Sequence, residues 1–133
     1  MEYEPVYAVG SADFEEIRRK GYVYVDKTEY VWKMVNTPAP IFLSRPRRFG
    51  KSLLTRTLEC YFKGKRELFE GLKIAQREKE WKVYPVLRFD LSECKEGELP
   101  DIVYSMSQQL GKYEKLWGVT DTGGKLGNRM IRL

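Results

Sequence analysis

The chain has 133 residues, of which 42% are hydrophobic and 14% aromatic, and 24 Lys and Arg against 19 Asp and Glu give it a formal charge of +5. This length suits one domain and the apolar content can build a core, which excludes disorder throughout, while the positive balance suits a nucleotide, a nucleic acid or an acidic protein as partner. The sequence contains no histidine, so imidazole acid–base catalysis, His-based triads and His–metal sites are excluded.

Met1 to Pro5 carries neither a positive n-region nor a long apolar h-region, and no apolar run approaches the ~20 residues that span a bilayer. The expectation is therefore a cytoplasmic chain with no membrane partner. Residues 3–10 are extended in character. Ser11 reads as the N-cap of a short helix with Asp13, Glu15 and Glu16 in its first turn, Phe14 and Ile17 on one face, and Arg18, Arg19 and Lys20 before a terminating Gly21. Tyr22 to Val25 is β-prone and short. Asp26-Lys27-Thr28 then offers a cap for a second helix through Tyr30, Val31, Met34 and Val35, which Asn36-Thr37-Pro38-Ala39-Pro40 breaks. Residues 1–40 thus read as a helical element leading into a strand, and 41–133 as a second, incomplete domain.

The strand is Ile41 to Ser44. It delivers the chain into Arg45-Pro46-Arg47-Arg48-Phe49-Gly50-Lys51-Ser52-Leu53, and from Lys51 onward Leu53, Leu54, Leu58, Tyr61 and Phe62 fall on one helical face, with Gly64 as the stop. A phosphate loop reads G-x-x-x-x-G-K-[ST]: its backbone N–H groups point at phosphate oxygens, its lysine neutralises the β/γ charge and its hydroxyl ligates Mg2+. Here Arg45 stands where that pattern has its first glycine, so the strict match fails. A helix N-terminus nevertheless binds anions whatever precedes it, the strand-then-helix context is the one the motif requires, and Pro46 fixes φ in the turn. Lys51 is the candidate for the β/γ-phosphates and Ser52 for Mg2+. The cluster of Arg45, Arg47, Arg48 and Lys51 also admits a nucleic-acid backbone patch, with Phe49 its only interleaved aromatic, or arginines paired to acidic residues, or an arginine on the γ-phosphate.

Lys65 to Trp81 reads as helical turns and loop, with Leu68, Phe69, Leu72 and Ile74 buried. Tyr84 to Leu91 reads as a second strand, so strand, loop, helix and strand follow in the order of a parallel sheet, and the fold expected is α/β with helices flanking that sheet. Asp90 ends this strand and could reach a metal. Arg88 lies two residues away on the same side, which favours a half-exposed strand with a local ion pair. Cys60 and Cys94 lack the paired spacing of a zinc site and read as small buried or half-buried thiols. Glu98-Leu99-Pro100 opens a helix with Ile102, Val103, Met106 and Leu110 on one face; a polar loop covers 118–128. Arg129 to Leu133 reads as a helix just beginning, too short to bury an apolar face, so the reading expects the protein to continue beyond it.

The stretches Gly21 to Thr28 and Phe42 to Leu54, and more weakly Tyr84 to Leu87 with Asp90, resemble the bacterial AAA-ATPase-like family of the P-loop superfamily. Its members usually carry a C-terminal domain of the PD-(D/E)XK nuclease type. The similarity runs from about Tyr7 to the end and covers the front of that family's ATPase domain. The family's own loop reads Arg-Pro-Arg-Arg-Phe-Gly-Lys-Ser, so Arg45 departs from the general motif and not from the family. The resemblance implies ATP and Mg2+ as cofactors, a nucleotide partner with nucleic acid possible through the longer protein, and Asp26 and Lys27 near the adenine and ribose. The bare chemistry of Asp26 or Thr28 as a helix cap remains an equal reading. The family's later strand ending in Asp-Glu has no counterpart here, so ATP binding is expected, and hydrolysis is not assigned to this chain. The competing classes are a basic nucleic-acid-binding module and an interaction fragment with a vestigial loop.

Overall fold

Asp13, and not Ser11, caps the first helix, α1 (Phe14–Arg19): its Oδ1 accepts the backbone N–H of Glu15 at 3.0 Å, while the Ser11 hydroxyl donates to Glu16 Oε2 at 2.8 Å. A carboxylate satisfies an orphan N–H as a hydroxyl can, and it also places negative charge at the positive helix end. This computed structural model describes residues 4–7, 10–44, 46, 50–92, 94, 99–120, 123–131 and 133. After α1 come α2 (Thr28–Val35), α3 (Lys51–Phe62), a 3₁₀ turn (Arg66–Phe69), α4 (Lys73–Arg77), α5 (Leu99–Leu116) and α6 (Leu126–Ile131). The chain forms two compact units, Met1–Val86 and Leu87–Leu133.

The core of the first unit is built where helix periodicity points it. Phe14 from α1, Val31 from α2, Cys60 from α3, Leu68 and Phe69 from the 3₁₀ turn, Leu72 and Ile74 are all buried in one cluster. The Phe14 and Phe69 rings meet at 4.9 Å, and Tyr24 closes edge-on to Phe14 at 5.3 Å, geometries that add to simple area burial. Arg18 ties α1 to the 3₁₀ turn, its Nε donating to the Leu68 carbonyl at 2.8 Å and a terminal nitrogen to the Glu70 carbonyl at 2.6 Å.

The expected α/β architecture with a parallel sheet does not form: among the described residues there is no strand. The run Ile41 to Ser44 is exposed, Phe42 at 92%, and in Tyr84 to Leu91 the ends are exposed while Val86 to Phe89 are half-buried. Among the described residues the backbone contacts of the β-prone runs are isolated bonds and not ladders, such as Val23 N–H to the Val6 carbonyl at 2.8 Å and Tyr84 N–H to the Phe62 carbonyl at 2.7 Å. The physical reason is that β-propensity reports a segment's ability to be extended. A ladder also needs a neighbour to take alternate N–H and C=O groups, and no local pattern supplies that.

In the second unit those groups are taken by side chains instead. The Tyr113 hydroxyl accepts the N–H of Arg88 at 3.0 Å and donates to its carbonyl at 3.1 Å. Gln109 does the same for Asp90, accepting at 2.8 Å and donating at 2.7 Å. One helix face thereby holds the extended segment through residues 88 and 90, whose backbone groups share an edge. On α5 the expected apolar face is only partly buried: Leu110 is fully enclosed, together with Glu114, while Val103 is exposed. Helix α6 begins at Leu126, earlier than the sequence suggested, and packs on α5 through Arg129 and Glu114. No helix among the described residues is long and apolar enough to cross a membrane.

Candidate functional site

Gly50 ends the loop in the left-handed region, φ 79° and ψ 16°, a conformation open to glycine without a Cβ penalty. Its carbonyl accepts the N–H of Leu54 at 2.9 Å, so the helical ladder of α3 starts there. Lys51 and Ser52 are the first two residues of that helix and both are exposed. Thr55 donates its hydroxyl back to the Lys51 carbonyl at 2.8 Å and leaves the helix end clear.

The start of α3 differs from the other helix starts in its unit. A first-turn N–H of α1 goes to Asp13; that of Thr28 in α2 goes to Asp26 Oδ1 at 2.9 Å; in α4, Lys73 N–H goes to Asp26 Oδ2 at 2.8 Å and Ile74 N–H to the Thr28 hydroxyl at 3.1 Å. Among the described residues no side chain caps the start of α3. An uncapped helix start presents its orphan N–H groups and positive dipole end outward, which favours an anion.

Farther along, α3 is locked in place. Thr57 and Cys60 are its buried residues, and burial pushes the Cys60 thiol up. Arg56 pairs with Asp13 at 3.0 Å and with Glu59 at 2.7 Å, tying α3 to the cap of α1. Burial alone would raise the Asp13 carboxyl, but the Arg56 guanidinium and the N–H groups of Glu15 and Glu16 outweigh it and hold it below the usual carboxylate value. The helix bearing Lys51 is thus anchored by its later turns, with Lys51 and Ser52 of its first turn exposed to solvent.

The remaining expected residues fall as follows. Arg45, Arg47, Arg48 and Phe49 lie outside the described residues. Pro46 is exposed, and Leu53 is half-buried. Asp26 has both carboxylate oxygens engaged in the starts of α2 and α4; Lys27 is exposed and lines a cavity of about 400 Å3 that also touches Gly50. That cavity was not legible in the sequence, because its walls come from separated stretches including Val25, Leu43 and Leu54. Asp90 belongs to the second unit, where its Oδ1 accepts the N–H of Ser92 at 2.9 Å; this bond and the Ser92 side chain hold it below the usual range. No group of three or more Cys, Asp and Glu that could hold a metal ion occurs among the described residues. Mg2+ keeps several waters and usually takes one or two carboxylates with substrate phosphates; at the start of α3 the described residues offer the exposed hydroxyl of Ser52, a partial fit.

The start of α3 thus combines a left-handed glycine, no side-chain cap among the described residues and an exposed lysine and serine. The chain belongs to the family described as "Predicted AAA-ATPase", which matches residues 8–133, and the family's description implies nucleotide use. A relative from Azotobacter chroococcum mcd 1, named "Uncharacterized protein in vnfD 5'region", is 36% identical over 111 residues, covering 77% of this chain and 22% of that protein. The chain therefore spans about a fifth of the length of the curated relative it matches. No solved structure matches it.

Proposed function

We propose that the start of α3 binds the triphosphate of ATP, with Mg2+, as the phosphate loop of an AAA-like ATPase of the P-loop superfamily. The observation that carries this is the uncapped helix start, with Gly50 in the left-handed region and Lys51 and Ser52 exposed behind it. The N–H groups of the first turn cradle the phosphate oxygens, and the Lys51 ammonium neutralises charge on the β- and γ-phosphates. Ser52 offers its hydroxyl to the magnesium ion, which when bound supplies charge neutralisation between the β and γ oxygens. The anchoring of α3 through Arg56 keeps these groups in place before the nucleotide arrives. Hydrolysis is not assigned to these residues.

Titration of the chain with a fluorescent ATP analogue, with and without Lys51→Ala, tests this. Removal of the ammonium should weaken binding by about tenfold or more, since a charge-assisted contact contributes roughly 1.5–3 kcal/mol. Equal affinity of the two proteins would remove the reading. Binding to DNA or RNA that falls steeply with salt and ignores ATP would favour the nucleic-acid alternative instead.

A further inference from the structure

We propose that the hollow where α2, α3 and α4 end is a docking site for an acidic peptide that carries one large apolar anchor residue. α2 stops at Val35, α3 at Phe62 and α4 at Arg77, and the hollow lined by these ends measures about 420 Å3. All of its lining lies in the first unit, at the far end of α3 from Lys51, about 17 Å away along the helix axis. It is therefore separate from the proposed phosphate site.

The inner lining is apolar and aromatic. Trp32, Val35 and Phe62 are half-buried, and the Tyr84 ring meets Phe62 edge-on at 5.9 Å while that residue stays 49% exposed. An aromatic set that folding covers only in part gains from burying one more apolar side chain, and aromatic residues with arginine are the types enriched where proteins meet.

Charge complementarity selects the rest of the partner. Three exposed cations, Arg77, Lys79 and Lys82, stand around the hollow with two carboxylates, Glu78 and Glu80. Glu78 is committed to its own turn: one oxygen accepts the Tyr61 hydroxyl, and the other accepts the N–H groups of Lys79 and Glu80, each at 3.0 Å. Glu80 pairs with Lys82 at 2.8 Å, both side chains more than half exposed, and Arg77 pairs with Glu29 at 3.4 Å. Exposed pairs of this kind contribute little, so a partner's carboxylates exchange with them at small cost. A nucleic-acid strand would carry its phosphates past Glu78 and Glu80 as well as past the cations. A peptide sets single carboxylates on single cations, which is what a lining of mixed sign admits.

The turn that carries these charges is held fixed. Trp81 sits at φ 45°, a region that costs any residue with a Cβ, and its ring packs on Phe69 at 5.1 Å and on Tyr61 at 5.7 Å. Strain kept in place by packing collects at binding sites, and a preformed turn spares the partner the cost of ordering it.

The test titrates the full 133-residue chain with three labelled pentapeptides: a tryptophan flanked on each side by two acidic residues, the same flanks around an alanine, and the same tryptophan flanked by lysines. A labelled oligothymidylate is run beside them. The acidic tryptophan peptide should bind at least about tenfold more tightly than each of the others, the equivalent of ~1.4 kcal/mol. Tyr84→Ser and Lys79→Glu, both at exposed positions, should each weaken it by about threefold or more without moving the melting temperature, and Lys51→Ala should leave it unchanged. The peptide series on the unsubstituted chain decides the proposal if either variant fails to fold. Equal binding of the three peptides, or no binding of the first at millimolar concentration, overturns it. Loss of binding on Lys51→Ala also overturns it, because the carboxylates would then sit at the start of α3. Tighter binding of oligothymidylate that falls with Tyr84→Ser and Lys79→Glu would give the hollow to nucleic acid and not to a peptide.

Discussion

Arg129 meets both carboxylate oxygens of Glu114, its Nε donating to Oε1 at 2.7 Å and a terminal nitrogen to Oε2 at 2.8 Å, with the Glu114 side chain 1% exposed and that of Arg129 12%. Arg129 also donates to the Ser107 hydroxyl, about two turns back along α5. A bidentate pair of this kind is geometrically demanding, and it joins α6 to α5 more specifically than apolar contact could, because Met130 and Ile131 remain exposed.

The consequence for stability is asymmetric. Replacing Arg129 by Ala leaves an enclosed carboxylate without its cation and should destabilise the second unit by about 3–5 kcal/mol, whereas replacing both partners with apolar residues of similar volume should be far milder. Hydrogen exchange on α6 and urea unfolding of both variants would measure this. If Arg129→Ala alone proves neutral, the pair does not hold α6.

Asp26 governs two helix starts that are far apart in sequence, through Thr28 on one oxygen and Lys73 on the other. Asp26→Asn keeps one acceptor oxygen and should lose one cap, about 1 kcal/mol; Asp26→Ala loses both, about 2 kcal/mol. Burial would raise this carboxyl, but the hydrogen bonds from Thr28 and from the Lys73 N–H outweigh it and leave its pKa lowered. The stabilisation is therefore complete above the unfolded value of about 3.9 and is lost as pH falls through the lower folded value. Denaturation midpoints from pH 6 downward should show an acid limb for the parent chain that Asp26→Asn flattens. Parallel curves would show that Asp26 is not a linked group.

What the sequence made legible is what local chemistry decides. The start of α2 follows from Asp26-Lys27-Thr28, the start of α3 from Gly50-Lys51-Ser52, and the burial of Leu68, Phe69, Leu72 and Ile74 from their spacing between charged residues. The expected sheet was not decided locally: Ile41 to Ser44 has the composition of a strand, but pairing is set by segments remote in sequence. Glu114 shows the same limit from the other side. A glutamate in a charged helical stretch has the composition of a solvated position, and its burial here is supported by Arg129 arriving from α6. The cavity beside Gly50 was hidden for the same reason, since Val25, Leu43 and Leu54 come together only on folding.

Gly50 and Gly64 both adopt positive φ, 79° and 69°, yet their surroundings differ. A Cβ on Gly50 meets no described residue within 4 Å, and Gly50→Ala carries the left-handed strain, about 1–2 kcal/mol. On Gly64 it would lie 2.8 Å from Val83 Cγ2 and 3.2 Å from the Trp81 carbonyl. That carbonyl cannot easily retreat, because Trp81 is itself at φ 45° and packs on Phe69 at 5.1 Å and Tyr61 at 5.7 Å. Gly64→Ala should therefore cost clearly more than Gly50→Ala, by about 1–3 kcal/mol of overpacking. Denaturant midpoints of the two variants compare them directly, and equal losses would mean that the chain relaxes around Gly64.

Ser52 separates the metal's part in nucleotide binding from that of the lysine. Its hydroxyl is exposed at the second position of α3, so Ser52→Ala removes one oxygen without disturbing a packed neighbour, and the melting temperature should stay within the range of a surface change. In the proposed site the parent chain binds ATP more tightly with Mg2+ than with EDTA, and the alanine variant loses about tenfold with Mg2+ while its affinity in EDTA stays close to that of the parent, since no phosphate contact has been removed. Lys51→Ala should behave in the opposite sense and weaken binding under both conditions, because the ammonium acts on phosphate charge directly. Titrations of the three proteins under both conditions give these comparisons. Should Ser52→Ala weaken binding equally with and without Mg2+, its hydroxyl contacts the phosphate and not the metal. Should it change nothing, magnesium is held without Ser52.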